Sequence, residues 1–141
     1  MTIDHICFAV RDLSKAVDFW ASAFGYKQMT GIVTNTRQQV KVVFISKTDS
    51  LLIKLIEPVE GNASVERFVK NGGGFHHICF KCEDLKNGVD ELNEKGLITM
   101  VAPQPGEAFD NEDIAFLLTR HGFGLELIDT DKKAEFLSEK Q

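Results

Sequence analysis

Asp4-His5-Ile6-Cys7-Phe8 lies near the start of the chain, and 72 residues further on the sequence reads His76-His77-Ile78-Cys79-Phe80. The offset holds without a gap. Asp12-Leu13 falls on Asp84-Leu85, Val17-Asp18 on Val89-Asp90, Phe44 on Phe116 and Leu55-Ile56 on Leu127-Ile128. These eleven identities compare with roughly four expected between unrelated halves, so the chain is an internal duplication. Two copies of one supersecondary unit create a pseudo-twofold axis. Equivalent residues near that axis, such as His5 and His77, then face each other across a shared site.

Each copy carries the same pattern of elements. Residues 3–10 alternate as a strand, with Ile6, Phe8 and Val10 on one face and His5, Cys7 and Ala9 on the other. A helix opens at Asp12-Leu13-Ser14, carries Leu13, Val17, Trp20 and Phe24 as an apolar stripe, and stops at Gly25. Residues 28–33, 39–46 and 51–57 read as three further strands closed by Pro58. A connecting helix over 62–71 leads through Gly72-Gly73-Gly74, read as a flexible junction, into the second copy. That copy comprises a strand over 75–82, a helix over 85–95, and strands over 97–101, 112–118 and 123–129. Residues 102–111, with Pro103, Pro105 and Gly106, read as a loop, and 130–140 as a polar terminal helix. The expected fold is α/β (α+β): tandem β-α-β-β-β units in a curled, mostly antiparallel sheet, with helices outside and a concave cleft between.

The 141 residues, 43% of them hydrophobic, suit one domain over 1–141, with units near 3–58 and 75–129 sharing a core. A net charge of −5 argues against nucleic acid or an anionic membrane as partner and leaves a small molecule. No apolar run approaches about 18 residues, and the N-terminus lacks a basic region followed by an apolar one. Three cysteines, an odd number, point to free thiols in a reducing compartment, so the expected location is cytoplasmic.

Strand periodicity selects the residues able to meet. Neighbouring side chains point to opposite faces, so His77, the repeat partner of His5, should look into the site and His76 away from it. Cys79 and Cys82 have Cys-x-x-Cys spacing, but residues three apart on a strand face opposite ways, so they read as buried small hydrophobes. Lys54 and Glu126 stand at equivalent positions inside apolar end strands, where an ionisable group needs a partner or a task. His5, His77 and Glu126 together would suit a divalent ion such as Zn, Ni, Co, Mn or Fe. Arg37, Lys41, Lys47 and Lys54 surround the first sheet and read as solubilising or anion-holding, while His121 reads as part of the turn before the last strand.

The duplicated unit, the histidine in each opening strand and the last-strand carboxylate resemble the vicinal oxygen chelate superfamily. Within it, Asp4-His5-Ile6-Cys7-Phe8-Ala9-Val10, Leu55-Ile56-Glu57-Pro58, Gly74-Phe75-His76-His77-Ile78 and Gly124-Leu125-Glu126-Leu127-Ile128 are most similar to the methylmalonyl-CoA epimerases. The resemblance implies metal ligands at His5, His77 and Glu126. It puts Lys54 where the fourth ligand, Gln or Glu, belongs, and Lys41 near the place of a glutamate base. Asp113, the repeat partner of Lys41, and Glu126 itself are further candidate bases. The implied function is metal-assisted proton abstraction next to a carbonyl, by an epimerase or lyase acting on an acyl thioester. The rival is a metal-free small-molecule binding protein in which a Lys54–Glu126 pair makes the ion unnecessary, with a glyoxalase-type or ring-cleaving enzyme third. The resemblance also implies a homodimer.

Overall fold

A computed structural model describes residues 1–138 and contains both copies. The first is β1 (Thr2–Ala9), α1 (Leu13–Phe24), β2 (Lys27–Gln28), β3 (Val33–Asn35), β4 (Val40–Ser46) and β5 (Leu52–Pro58). After α2 (Ala63–Lys70) come β6 (Gly74–Lys81), α3 (Leu85–Glu94), β7 (Ile98–Pro105), β8 (Asp113–Leu118) and β9 (Gly124–Ile128). One sheet runs β2-β4-β5-β1-β6-β9-β8-β7, with β3 on the edge of β4. Only β1 with β5 and β6 with β9 pair in parallel; the other pairings are antiparallel. The sheet is mostly antiparallel, as expected from the sequence, and β1 and β6 meet at its centre.

The duplication reaches the helix ends. Asp12 caps α1 by accepting the Lys15 N–H at 3.0 Å, and Asp84 caps α3 by accepting the Asn87 N–H at 2.9 Å. Glu57 takes the Leu13 N–H at 3.2 Å and its repeat partner Asp129 takes the Leu85 N–H at 2.8 Å, so two otherwise orphaned amides of each first turn are satisfied the same way. Leu13 on α1 packs with Val43, Ile45, Ile53 and Leu55; Leu85 and Val89 on α3 pack with Ala115, Leu117, Leu125 and Leu127. The opposite sheet face carries a third cluster from both copies: Cys7, Val42, Phe44 and Ile56 with Cys79, Ile114, Ile128 and Phe109. That face holds the polar centre.

Three expectations need correction. Residues 28–33 are not one strand: β2 ends at Gln28, and the Met29 and Thr30 N–H groups both reach the Phe44 carbonyl before Gly31 breaks the run. Residues 102–105 continue β7 to Pro105; a strand at the sheet edge tolerates Pro103 and Pro105 because its outer N–H positions need no partner, and register shifts absorb the distortion. Residues 130–138 are an irregular strap, not a helix, with a bend at Ala134-Glu135, while 139–140 lie outside the described residues. The strap is tied down by Ala134 N–H to the Ala108 carbonyl, Gly31 N–H to the Glu135 carbonyl and Leu137 N–H to the Met29 carbonyl. These external partners outcompete the intrahelical bonds that a short polar segment forms poorly alone. At the junction, Gly73 adopts φ +66° and its Cα faces the Ala9 carbonyl, which an added Cβ would meet at 2.6 Å. Among the described residues no helix is long and apolar enough to cross a membrane.

Candidate functional site

β1 and β6 place His5 and His77 on the inner face, and β5 and β9 place Lys54 and Glu126 beside them. The four are buried, at 0%, 3%, 2% and 0% exposure respectively. The His5 and His77 ring centroids are 6.4 Å apart. Glu126 Oε1 accepts from His5 Nε2 at 3.0 Å, from His77 Nε2 at 3.3 Å and from Lys54 Nζ at 3.1 Å, while Oε2 lies 3.2 Å from the same ammonium. The convergence expected of His5, His77 and Glu126 is therefore present, and Lys54 completes it.

Burial alone would push the Glu126 carboxyl up, but the Lys54 ammonium and the two imidazoles win and hold it well below the usual carboxylate range. The same attraction overrides desolvation at Lys54 and raises its pKa, so the pair is charged. Burial dominates at His77, whose pKa falls to about 4, and at His76, which is also lowered; both rings are neutral near pH 7. Desolvation lifts the Cys7 thiol to about 12 and pushes Cys79 well up, so these cysteines behave as small core residues. Cys82 is likewise a free thiol.

His76 does not face away. Between β1 and β6 the register shifts at this point, with Cys7 opposite His77 but Phe8 opposite Phe75, so His76 is an extra residue in a β-bulge. Its Nδ1 lies 2.8 Å from His77 Nδ1. The repeat partner Asp4 occupies a second bulge, between Ile3 and His5, and its Oδ2 lies 2.6 Å from His5 Nδ1. Each central histidine is thus backed through Nδ1 by the residue before it. Alternation alone could not reveal this; the signal in the sequence was a polar pair, Asp4-His5 and His76-His77, at the same place in both copies.

The two sides of the centre differ. Behind Asp4 the strap inserts the buried Lys133, whose Nζ lies 3.3 Å from Asp4 Oδ2 and 5.1 Å from the Phe109 ring centroid. On the His76 side a cleft of about 300 Å³ opens, lined by Lys54, His76 and His77 together with Asn35, Gln38 and Gln104. Among the described residues, Asn35 Nδ2 and both amide atoms of Gln38 are buried without a hydrogen-bond partner. Unspent buried amides in a cleft wall are what a polar ligand would satisfy.

Lys41 and Asp113 lie elsewhere. On β4, Val40, Val42 and Phe44 face the centre, so Lys41 points the other way; it is half exposed and 3.7 Å from Glu57. On β8, Ile114 and Phe116 face inward and Asp113 is exposed on the α3 side. Neither reaches the cleft. Arg37 lines it and lies 4.0 Å from Glu107, whereas Lys47 is occupied with the Phe24 carbonyl and His121 sits in the turn before β9.

The nitrogens of His5 and His77 and the Glu126 carboxylate are close enough together to ligate one ion. With Lys54 in place the set does not fit a divalent cation. Its ammonium has no lone pair, already bonds both carboxylate oxygens and would repel a second cation beside it.

Residues 4–116 match the glyoxalase/bleomycin resistance protein/dioxygenase superfamily, and the chain belongs to it. Several of the proteins it is similar to are acyl-CoA epimerases. The mitochondrial methylmalonyl-CoA epimerase of Dictyostelium discoideum is 24% identical over 133 residues, covering 93% of this chain and 78% of the relative. A single-substitution variant of the Streptomyces coelicolor methylmalonyl-CoA epimerase, solved in complex with 2-nitronate-propionyl-CoA, superposes with a TM-score of 0.80 at 27% identity over 93% of this chain and 98% of that one. A methylmalonyl-CoA epimerase in complex with methylmalonyl-CoA and NH4+ gives a TM-score of 0.79 at 27% identity, covering 94% and 96%.

Proposed function

We propose that this protein removes and returns a proton on the carbon next to the thioester carbonyl of an acyl-CoA, with the Lys54 ammonium taking the part of a bound ion. The methylmalonyl-CoA epimerases among its relatives carry this class of substrate in their names, which supports the reading. One observation carries the reading: Lys54 Nζ is anchored by both Glu126 oxygens and also lines the cleft. An ammonium has three donors; two serve Glu126, and the third is left for a carbonyl oxygen entering from the cleft. As the α-proton leaves, negative charge grows on that oxygen, and a fixed cation in a water-poor site stabilises it without having to reorganise. The cleft takes the acyl end and thioester, with Asn35 and Gln38 as polar contacts and Arg37 at the rim towards the anionic remainder of CoA.

The test is deuterium uptake in heavy water by methylmalonyl-CoA incubated with chelator-treated protein. Exchange should persist without added metal and fall by about 100-fold or more in Lys54→Met. Exchange that appears only on adding a divalent ion would overturn the role given to Lys54.

A second reading, a protein that binds the acyl-CoA without reacting it, is favoured by β4, which offers the centre only Val40, Val42 and Phe44 and no proton carrier. Tight binding of methylmalonyl-CoA with no exchange would establish it.

A further inference from the structure

We infer that His76 Nε2 is the atom of the cleft that accepts the substrate proton, made available by a hydrogen-bond chain running from Glu126 through His77. This rests on the function proposed above and names the missing base for it.

The argument begins from polarity. Glu126 is an ionised carboxylate and can only accept, so the His77 Nε2 contact at 3.3 Å is a donation from the ring. A neutral imidazole carries one ring proton. With that proton on Nε2, His77 Nδ1 is a bare acceptor, and the 2.8 Å contact to it must be a donation from His76 Nδ1. The single proton of neutral His76 is then spent on Nδ1, which leaves its Nε2 with an open lone pair. Among the described residues that nitrogen has no hydrogen-bond partner.

The other ionisable groups of the centre are committed. Lys54 is bound to Glu126, Glu126 receives three donors, and His5 lies between Asp4 and Glu126 with a contact at each ring nitrogen. The duplication sharpens the point. Asp4 and His76 are equivalent bulged residues, yet Asp4 is closed off by Lys133, while His76 lines the open cleft. Of these two ends only that of His76 lines the cleft, and the residue there is an imidazole. Phe68 packs edge-on against this ring, its centroid 5.0 Å away, and fixes its plane.

The step balances without a redox partner. The α-carbon–hydrogen bond breaks, the proton passes to His76 Nε2, and the electron pair spreads onto the thioester oxygen as an enolate facing the Lys54 ammonium. Return of a proton from His76 to the carbon restores the thioester.

His76→Asn separates this role from a structural one, because its amide keeps an N–H donor towards His77 Nδ1 and removes only the outer nitrogen. Deuterium uptake by methylmalonyl-CoA and acetoacetyl-CoA should fall about 100-fold or more, while calorimetric binding of either thioester stays within about twofold of wild type. In resting wild-type protein, nitrogen-15 NMR should place the His76 proton on Nδ1. A proton on Nε2, or exchange by His76→Asn at the wild-type rate, overturns the inference and leaves the proposed function standing. Wild-type protein that binds both thioesters and exchanges neither overturns the two together.

Discussion

Lys54 Nζ lies 3.1 and 3.2 Å from the two carboxylate oxygens of Glu126, and the two residues are 72 positions apart, which makes them repeat partners. The ion pair therefore spans the pseudo-twofold axis between equivalent sites on β5 and β9. An axis through identical copies would bring like residues together, and two buried carboxylates or two buried ammoniums would repel. Opposite charges at the same position turn that conflict into a buried ion pair bonded through both carboxylate oxygens.

Removing one partner should be costly. Lys54→Met leaves the Glu126 carboxylate buried with only the imidazole donors, and a broken buried pair typically costs about 3–5 kcal/mol. Lys54→Met with Glu126→Leu should recover most of that loss, since an apolar pair of similar volume needs no desolvated charge. Urea unfolding of both variants measures it. A single variant as stable as wild type would mean that the pair contributes nothing.

Lys54 should also govern metal affinity. Lys54→Gln removes a unit charge at contact distance and supplies a neutral amide oxygen in its place. A repulsion of about 4 kcal/mol between unit charges near 4 Å at intermediate dielectric predicts a gain of at least about 100-fold for Zn2+, Ni2+ or Co2+. Equilibrium dialysis with metal analysis decides the matter, and tight stoichiometric binding by the wild type would refute it.

Acid should weaken the fold in a defined window. His77 titrates at about 4 in the folded chain against an ordinary 6.5, because burial disfavours its charged form. Between those values the unfolded chain binds a proton that the folded chain does not, so stability is greatest above about pH 6.5 and declines as the pH drops towards 4. His76 is lowered too and acts in the same direction. Glu126, held well below 4.5, adds a further loss beneath that pH as the unfolded carboxyl protonates first. Urea unfolding at pH 7 and pH 4.5 should differ by about 2–3 kcal/mol from His77 alone. In His77→Gln the slope above pH 4.5 should flatten.

The sequence made the fold legible because duplication and periodicity are written in side chains. The strand faces of β1 followed from alternation, and Asp12 with Gly25 marked the ends of α1. The offset made His5 equivalent to His77 and Lys54 equivalent to Glu126, but whether Lys54 turns into the centre to meet Glu126 depends on the folded strands. What stayed hidden depends on backbone register and distant contacts. A β-bulge adds one residue without changing composition, so His76 was assigned to the wrong face. Lys41 was placed by family position, yet the inward face of β4 belongs to Val40 and Val42. The strap had a polar pattern compatible with a helix, and only the partners it finds on Met29, Gly31 and Ala108 hold it in its irregular path.

Exchanging the two charges tests the axis itself. If positions 54 and 126 are equivalent about it, Lys54→Glu combined with Glu126→Lys should rebuild the pair in reverse, because His5 and His77 are related by the same operation and can both donate to a carboxylate from either strand. The expected cost is about 1–2 kcal/mol, mainly from the asymmetric wall, where Phe109 faces the Lys54 ammonium at 5.3 Å. Lys54→Glu alone should behave very differently. It buries two carboxylates beside two imidazoles, a set that repels itself when empty and suits a zinc ion. That variant should be destabilised by about 3–5 kcal/mol in chelator and regain stability as free zinc rises, through preferential binding to the folded state. The double variant should show no zinc response. Thermal unfolding of wild type, single and double variants with and without zinc reads all of these at once. A double variant as unstable as the single one would show that the centre is fixed by its surroundings and that the symmetry of its residues has no energetic meaning.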